Sequence, residues 1–517
     1  MPKAAIIIAI SMLLSRILGM VREIILAQVA GATAQKSALD LAFMIPDILN
    51  HIVSTGFLSM IFIPIFTGYL VKNQKSKAWD FFANILNVLG LFLLLLIVPA
   101  WFFMEELLLL LSATAPSPEI LNDAVNFGRI ILPGQLAFFA GSFLIAVQHT
   151  QKRFFWPSMT GVVYNLCIII GGWLGRNHGL SGFAWGVPIG AFSGFLFLQL
   201  WATKDLGIKW RPVFKISDPD VRRYLSMMLP LVMGVGAMFA LEFIIRSFGS
   251  NFGNSGISSL NYAYRLMYTL VAVFGFSVGV ASYPDMAKLA KENKTEELNS
   301  MLSILLARMF AILVPTVLAV WLLAFPMVRI LFERGAFTRE NTELIASLLR
   351  WYLPAAFGLC AQAVLVRSFY AQERMWTPTI INTLSFASSL FFYSSATAVF
   401  GINSVPLVGS ITALVQVSVL LAVWIGVNKR QGFEGFGRSL STNVFTMLLI
   451  VPFLVLLNGK LAQFWQSWSF FTTVLAMALI FMLVFSLGFA MQIVLGNHVS
   501  KQVFQELLQK IRKKIPF

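Results

Sequence analysis

Charge is scarce in this sequence. Asp, Glu, Lys and Arg make up 12% of its 517 residues, against about 25% in an average soluble domain. Cysteine is almost absent: Cys167 and Cys360 both lie in apolar runs, which excludes a disulfide framework or a thiolate metal site. The four histidines, His51, His149, His178 and His498, have no zinc-ligand spacing. There is no phosphate-binding loop and no dinucleotide fingerprint, so neither metal nor cofactor is expected. What is abundant is apolar: 58% of the residues are hydrophobic and 48 are Phe. A soluble globule could not hide that surface, which excludes a soluble enzyme and a disordered chain. The apolar runs are long rather than short and alternating, which argues against a membrane β-barrel. The net charge of +16 would suggest nucleic acid in a soluble protein. In a membrane protein it fits basic cytoplasmic loops, so no nucleic-acid partner is expected.

The expected fold is an all-α polytopic membrane protein. A span needs about 20 apolar residues, and roughly fourteen transmembrane helices are predicted, near 5–28, 37–71, 78–111, 121–149, 155–175, 181–203, 220–249, 257–287, 297–331, 342–370, 376–399, 404–427, 438–458 and 464–496. The first span holds Arg16, Arg22 and Glu23 and no small-residue cleavage site, so it reads as a retained helix. Basic clusters alternate with the spans: Lys72/Lys75/Lys77, Lys152/Arg153, Lys204 to Arg223, Lys288/Lys291/Lys294, Arg374, Lys429/Arg430/Arg438 and the tail. The opposite loops hold few basic residues, among them Lys36, Arg176, Arg334, Arg339 and Lys460. This bias predicts that both termini are cytoplasmic. The last twenty residues, 498–517, carry Val503, Phe504, Leu507, Leu508 and Ile511 in one stripe, followed by Lys510, Arg512, Lys513 and Lys514. They read either as a basic amphipathic anchor on anionic lipid or as a solvated end.

The chain matches itself at an offset of 221 residues. Ser37, Leu39 and Ala42 fall on Ser258, Leu260 and Ala263. Arg129, Leu132 and Pro133 fall on Arg350, Leu353 and Pro354, and Gln151, Arg153 and Pro157 on Gln372, Arg374 and Pro378. Six helices separate the copies, so both run the same way across the membrane. The expected domains are a six-helix lobe at 1–210, a second at 211–430, two additional helices at 431–497 and the tail at 498–517. Parallel repeats are typical of transporters, with the site between the lobes.

A charge at mid-bilayer costs about 2.5–3.5 kcal/mol on insertion scales, so each needs a reason. Ser15, Arg16, Gly19, Arg22 and Glu23 share one face of the first helix. Asp40, Asp47, Asn50, His51, Ser54 and Thr55 share a face of the second, with Pro46 as a kink. Asn261, Arg265, Tyr268 and Thr269 share a face of the eighth. The alternative is internal pairing: Arg16 or Arg22 with Glu23 or Asp40, and Glu242 with Arg246. Arg129 and Arg350, each four residues before a proline at matching places, read as fold maintenance. Asp40 and Asp47 are candidate coupling-ion or proton sites. Guanidinium matches phosphate and carboxylate oxygens in bidentate fashion, so a cavity holding several arginines points to an anionic substrate, a phosphate or pyrophosphate.

The string Ser15-Arg16-Ile17-Leu18-Gly19-Met20-Val21-Arg22-Glu23 resembles the opening motif of the MurJ (MviN) flippases of the MOP exporter superfamily. So do Ile45-Pro46, Gly56-Phe57-Leu58-Ser59, Leu260-Asn261-Tyr262-Ala263 with Arg265-Leu266, and the long run from Arg329 to Thr338. The resemblance covers nearly the whole chain. It implies a lipid flippase of the bacterial inner membrane, not an enzyme. Such a protein moves undecaprenyl-pyrophosphate-linked peptidoglycan precursor (lipid II) between leaflets by alternating access, for cell-wall synthesis and cell shape. It further implies a cationic cavity, with Arg16, Arg22 and Arg265 matching family arginines, and a hydrophobic groove involving the two additional helices. Glu23, Asn50 and His51 join the expected substrate-binding residues. The family's second-helix arginine falls here at Asn50, its acidic residue before the glycine at Thr55, its second-helix aspartate at Ser37, and its aspartate before Arg265 at Tyr264. Expected partners are the polyprenyl-pyrophosphate-linked glycan, membrane lipids and cell-wall synthesis proteins, with the chain a monomer. Four alternatives stay open. They are a flippase for another polyprenyl-pyrophosphate-linked glycan of a surface polysaccharide, a cation-coupled small-molecule exporter, a membrane glycosyltransferase and a non-transporting scaffold.

Overall fold

The computed structural model describes residues 2–53, 57–151, 153–208, 210–236, 240–467 and 469–514, and among them every regular element is a helix. Ten stretches among these residues are long and apolar enough to cross a membrane. One of them, Trp376–Asn428, is two helices meeting at Gly401. The first helix, α1 (Pro2–Ala30), and two interrupted stretches supply the rest of the expected passages: α2 to α4 (Ala34–Ala42, Met44–Val53, Phe57–Val71) and α12 with α13 (Pro219–Gly236, Ala240–Gly249). Large apolar side chains such as Phe391, Phe392, Leu456, Phe471 and Val494 are 64–80% exposed. Helices satisfy their own backbone groups, so apolar side chains on their outer faces suit hydrocarbon and not water.

The break between α2 and α3 falls at Phe43. Pro46 has no N–H for the Ala42 carbonyl, and its ring crowds that turn, so the helix restarts just ahead of it. The chain forms two compact units. The first is Met1–Ser258 together with Arg334–Thr338, and the second is Ser259–Glu333 together with Arg339–Phe517.

In the first unit α1 packs on α9 (Phe155–Leu174), and α9 packs on α10 (Ser181–Gly190). The α9–α10 contact is built on small residues. A Cβ at Gly182 would lie 2.3 Å from the Gly171 carbonyl oxygen, and one at Gly186 would lie 2.6 Å from Ile168 Cα. Glycines four apart let helices approach closely where apolar side chains gain nothing by leaving lipid. Phe62, Phe66, Phe81, Phe82 and Phe143 stack into an aromatic core between α4, α5 (Lys75–Phe102) and α8 (Gly134–Thr150). Beyond α10 come a π-helical stretch, α11 (Leu198–Thr203) and a 3-10 turn at Lys204–Leu206, and residues 210–218 lead into α12 without a helix. Two α5 asparagines hold that segment. Asn84 Nδ2 donates to the Lys215 carbonyl at 3.0 Å, and Asn87 Nδ2 to the carbonyls of Arg211 and Val213 at 2.7 and 3.0 Å. On the turn between α8 and α9, Arg153 makes two 2.8 Å bonds to Asp205, which raise its pKa above the ordinary guanidinium value.

The Arg334–Thr338 strap is part of this unit. Ala336 N–H donates to the Gln28 carbonyl at 2.9 Å. Gly31 and Gly335 have φ of 63° and 61°. A Cβ at Gly335 would lie 2.2 Å from the Gln28 oxygen, and one at Gly31 would lie 2.3 Å from the Ala336 oxygen. Only glycine fits both the left-handed backbone and the contact. Ser37 Oγ and Ser258 Oγ, equivalent positions of the repeat, lie 3.2 Å apart in this unit, both fully buried.

The second unit is organised around α16 (Thr295–Phe332), which packs on α17 (Arg339–Ala371), α20 (Phe436–Ser467) and α21 (Phe470–Val494). Val314, Leu318, Ala319 and Leu322 meet Ile450, Leu454 and Val484 in its core. The thirteenth span thus runs on to Ser467, and the fourteenth starts later than expected, at Phe470. Before α16 come α14 (Gly256–Leu270), mostly in this unit, and α15 (Ser277–Lys291); after α17 come α18 (Trp376–Phe400) and α19 (Ser404–Asn428). Asn299 of α16 donates to the carbonyls of Asn428, Lys429 and Gln431, so an asparagine again holds an irregular segment, here the one that follows α19. The chain ends in α22 (His498–Lys514), tied down by a buried network of Asn497, Ser439, Gln492 and Ser500. Arg308 and Glu506 pair at 2.8 Å. Residues 515–517 and the side chains of Leu507, Leu508 and Ile511 lie outside the described set.

Candidate functional site

Arginines on α1 head the expected site. Arg22 Nη2 meets Glu23 at 2.9 Å, and Nη1 donates to Asn165 Oδ1 of α9 at 3.2 Å. Asn165 donates in turn to the carbonyls of Ser15 and Gly161. Gly161 lets this happen, because a Cβ there would lie 2.3 Å from Ser15 Oγ. Arg22 is therefore fixed by its helix and by α9, while Arg16, two turns back on the same face, is exposed. Asn165 escaped sequence reasoning, since one asparagine in an apolar run carries no signal of its partner.

The acids of the second span are all engaged. Lys36 Nζ donates to both oxygens of Asp40 at 2.6 Å, and the two side chains are 2% and 3% exposed. Lys36 was expected in an external loop; it is instead buried one turn before Asp40, an i,i+4 spacing legible in the sequence. Asp47 pairs with Arg246 of α13 at 2.7 Å. The expected Glu242–Arg246 pair is present but looser, at 3.9 Å. Asn50 and His51 are half-buried on α3 beside Asp47. Ser54 and Thr55 lie outside the described residues.

Arg265 belongs to the second unit. Its Nε donates to Asn261 Oδ1 one turn earlier on α14, at 3.3 Å. Tyr264, where an aspartate was expected from the resemblance, is buried against Tyr268 and Tyr352. Below Arg265 the helix widens into a π-helical turn, Val271–Phe276, a form that recurs at functional sites.

The second unit also contains a cavity of about 470 Å³ between α16, α17, α19 and α20. Phe310, Trp321, Phe357, Leu414 and Met447 line it, and Arg350 is its one charged lining residue. Ligand cavities typically measure about 300–1,000 Å³. Arg350 is committed: it donates to the Trp321 carbonyl at 3.1 Å and to Asn458 at 2.9 Å. The described residues hold no cluster of three metal-ligating side chains.

The family described as lipid II flippase MurJ matches residues 26–504. A probable lipid II flippase MurJ of Buchnera aphidicola subsp. Acyrthosiphon pisum is 28% identical over 409 residues, 76% of this chain and 79% of that protein. The lipid II flippase MurJ of Burkholderia cenocepacia is 27% identical over 390 residues, 71% and 73% of the two chains. A solved structure of lipid II flippase MurJ in an inward closed conformation superposes with a TM-score of 0.75 at 21% identity, covering 94% of this chain and 99% of that one. An inward-facing multidrug resistance MATE family transporter of the MOP superfamily gives 0.69 at 14%, covering 82% and 98%. At such identities the structural likeness shows the fold.

Proposed function

The chain belongs to the lipid II flippase MurJ family, and from that premise we propose that Arg16, Arg22 and Arg265 receive the pyrophosphate of lipid II during its passage from the inner to the outer leaflet. The protein is a lipid flippase that crosses the bacterial inner membrane many times. One observation carries the assignment: α1 presents two guanidiniums on one face against a single carboxylate, with Arg22 fixed by Glu23 and Asn165 and Arg16 exposed. A preset guanidinium loses little freedom when it forks onto a phosphate. Glu23 holds Arg22, and Asn50 and His51 supply neutral polar contacts. The second-unit cavity suits the polyprenyl chain, being apolar along nearly all its wall.

The two six-helix lobes rock about the axis of the repeat, with both termini in the cytoplasm, and the protein acts as a monomer beside cell-wall synthesis proteins. It performs no covalent chemistry. Asp40 and Asp47 each face a cation of their own, which supports a cycle driven by membrane potential without an obligatory proton site. Moving one charge through 100 mV is worth about 2.3 kcal/mol.

A second reading, a flippase for another polyprenyl-pyrophosphate-linked glycan, is favoured by Asn50 where the family has arginine and by Tyr264 where it has aspartate. Depletion of the protein followed by analysis of accumulated lipid-linked sugars separates the two: lipid II accumulates on the first reading, another glycan on the second. In reconstituted vesicles Arg16→Ala and Arg22→Ala should abolish flipping of lipid II while the protein still inserts, with Lys restoring only part. Full activity of both variants would remove the site.

A further inference from the structure

Arg367 of α17 is a cation that the packing of its helix does not explain. A charge in a membrane-crossing helix needs a reason. Arg129 and Arg350 have one, since each donates to a tryptophan carbonyl of another helix. Arg367 Nη1 donates only to the Ala363 carbonyl, one turn back on its own helix. That oxygen already accepts the Arg367 N–H in the helix ladder. The half-buried side chain also turns away from the nearer end of α17, so its head is not simply reaching for the membrane surface.

The surroundings fix the guanidinium and leave its forked edge open. Its carbon lies 5.5 Å from the centre of the Phe276 ring. Gly279 of α15 leaves the notch it fills: a Cβ there would lie 2.6 Å from Nη1 and 3.2 Å from Cδ. Nη1 and Cδ thus face α15. The opposite edge, Nε–H with Nη2, is one that forks onto two oxygens of a phosphate or carboxylate. Among the described residues Nε and Nη2 make no hydrogen bond, and neither is buried. Asp285, Glu292 and Glu373 are exposed at this end of the unit, but none is within ion-pair distance of Arg367. Two phenols stand beside it. Tyr283 of α15 and Tyr370 of α17 are within electrostatic reach of the guanidinium and of each other. Tyr283 is 36% exposed and Tyr370 half-buried, and neither hydroxyl has a hydrogen-bond partner among the described residues. A guanidinium edge and two free hydroxyls are donors without a resident acceptor.

The level of this group along the helices fits a lipid phosphate. Arg367 is four residues from the end of α17, about 6 Å at ~1.5 Å per residue. Exposed Lys288, Lys291 and Arg374 lie beyond it. Arg265 is on the same run of helix as Phe276, eleven residues earlier, about 16 Å further from that end.

We propose that Arg367, Tyr283 and Tyr370 form a binding site for the phosphate of a lipid, and that the pyrophosphate of the substrate meets it before reaching Arg265. The entry role rests on the proposed function; the phosphate site does not. A bilayer phospholipid offers the same oxygens, so the test separates the two sources.

The full chain, purified and delipidated in detergent, is titrated separately with undecaprenyl pyrophosphate, dioleoyl phosphatidylglycerol and undecaprenol, and bound lipid is counted by native mass spectrometry. Arg367→Gln should weaken undecaprenyl pyrophosphate about tenfold, the loss of a charge-assisted fork, with Arg367→Lys in between. Tyr283→Phe and Tyr370→Phe should each cost about threefold, as for one hydrogen bond. Tyr283→Phe changes one oxygen on an exposed side chain, so an unchanged melting temperature keeps its reading free of misfolding. Undecaprenol, which has no phosphate, should bind all variants as it binds the wild type. Arg153→Gln, at the exposed Asp205 pair, should bind every lipid as the wild type does. No loss for either phosphate lipid, or an equal loss for undecaprenol, would overturn the site. A loss confined to phosphatidylglycerol would assign the site to a bilayer lipid and overturn the entry role. In vesicles Arg367→Gln should raise the lipid II fraction that gives half-maximal flipping while the rate at saturation holds; the reverse pattern would also overturn the entry role. Arg16→Ala that stops flipping beside an Arg367→Gln that binds normally sinks this inference alone. A chain that moves no lipid II yet shows the Arg367-dependent binding counts against the proposed function and leaves the phosphate site standing.

Discussion

Arg129 and Trp101 are joined twice: the guanidinium lies 5.3 Å from the centre of the indole, and its Nε donates to the carbonyl of the same tryptophan at 3.0 Å. The Trp101 and Phe102 carbonyls end α5, where no further turn supplies donors, and Arg129 Nη2 reaches the second one at 3.3 Å. Arg350 and Trp321 repeat the arrangement in the second unit, with the ring at 5.2 Å and the carbonyl at 3.1 Å. In hydrocarbon a carbonyl without a donor is costly, and a planar cation that stacks and donates at once answers both needs.

Arg129→Ala should therefore destabilise the protein by about 1–3 kcal/mol without changing substrate recognition. Arg129→Lys should recover only part, because an ammonium cannot stack and fork together. Thermal unfolding in detergent measures the loss. A melting temperature equal to that of the wild type would refute the role.

Asp40→Asn removes the carboxylate to which buried Lys36 is bonded, and breaking a buried pair costs about 3–5 kcal/mol. The double variant Lys36→Met, Asp40→Leu removes both charges and should restore stability. It should also flip substrate under a membrane potential with no pH gradient. A double variant that folds but is inactive would make Asp40 a coupling carboxylate.

Gly335→Ala and Gly31→Ala each force a Cβ into a carbonyl oxygen within 2.3 Å and an L-residue into left-handed backbone, where strain alone is about 1–2 kcal/mol. Both should lower the melting temperature, and both should raise the labelling of a cysteine placed at Gln28. Gly207, also at positive φ but with open space around it, gives the control: Gly207→Ala carries the strain without the clash and should cost less.

Glu506→Ala breaks the Arg308 pair, whose side chains are 43% and 51% exposed. Exposed pairs contribute about 0–1 kcal/mol, so stability should change little and less still at high salt. A large loss would mean that α22 is held through this contact and not through the buried Asn497 network.

Composition alone made the helical membrane fold legible, because 58% apolar residues in long runs admit few other solutions. The offset repeat located Arg129 and Arg350, and each of them donates to a tryptophan carbonyl of its own unit. Pairing was harder. The Glu23 partner of Arg22 is its chain neighbour and could be read directly. Asp47 and Arg246 are separated by 199 residues, and no local pattern announces that contact, so the nearer Glu242 looked the better partner. Lys36 was misplaced because hydropathy treats a lysine at a helix start as a loop charge. Its i,i+4 relation to Asp40 stands in the sequence but was not read as a pair. Asn165 was missed because a neutral amide in an apolar run does not show whether it faces lipid or a neighbouring helix.

The strap at Arg334–Thr338 has a consequence for biogenesis. The Gln28 carbonyl at the end of α1 acquires its Ala336 donor only after the ribosome has made α16, some three hundred residues later. A helix made early is thus among the last to have its end sealed. A nascent chain stalled anywhere before Arg334 presents an unsealed α1 terminus, a local mark of incompleteness that membrane quality control could recognise before either unit unfolds.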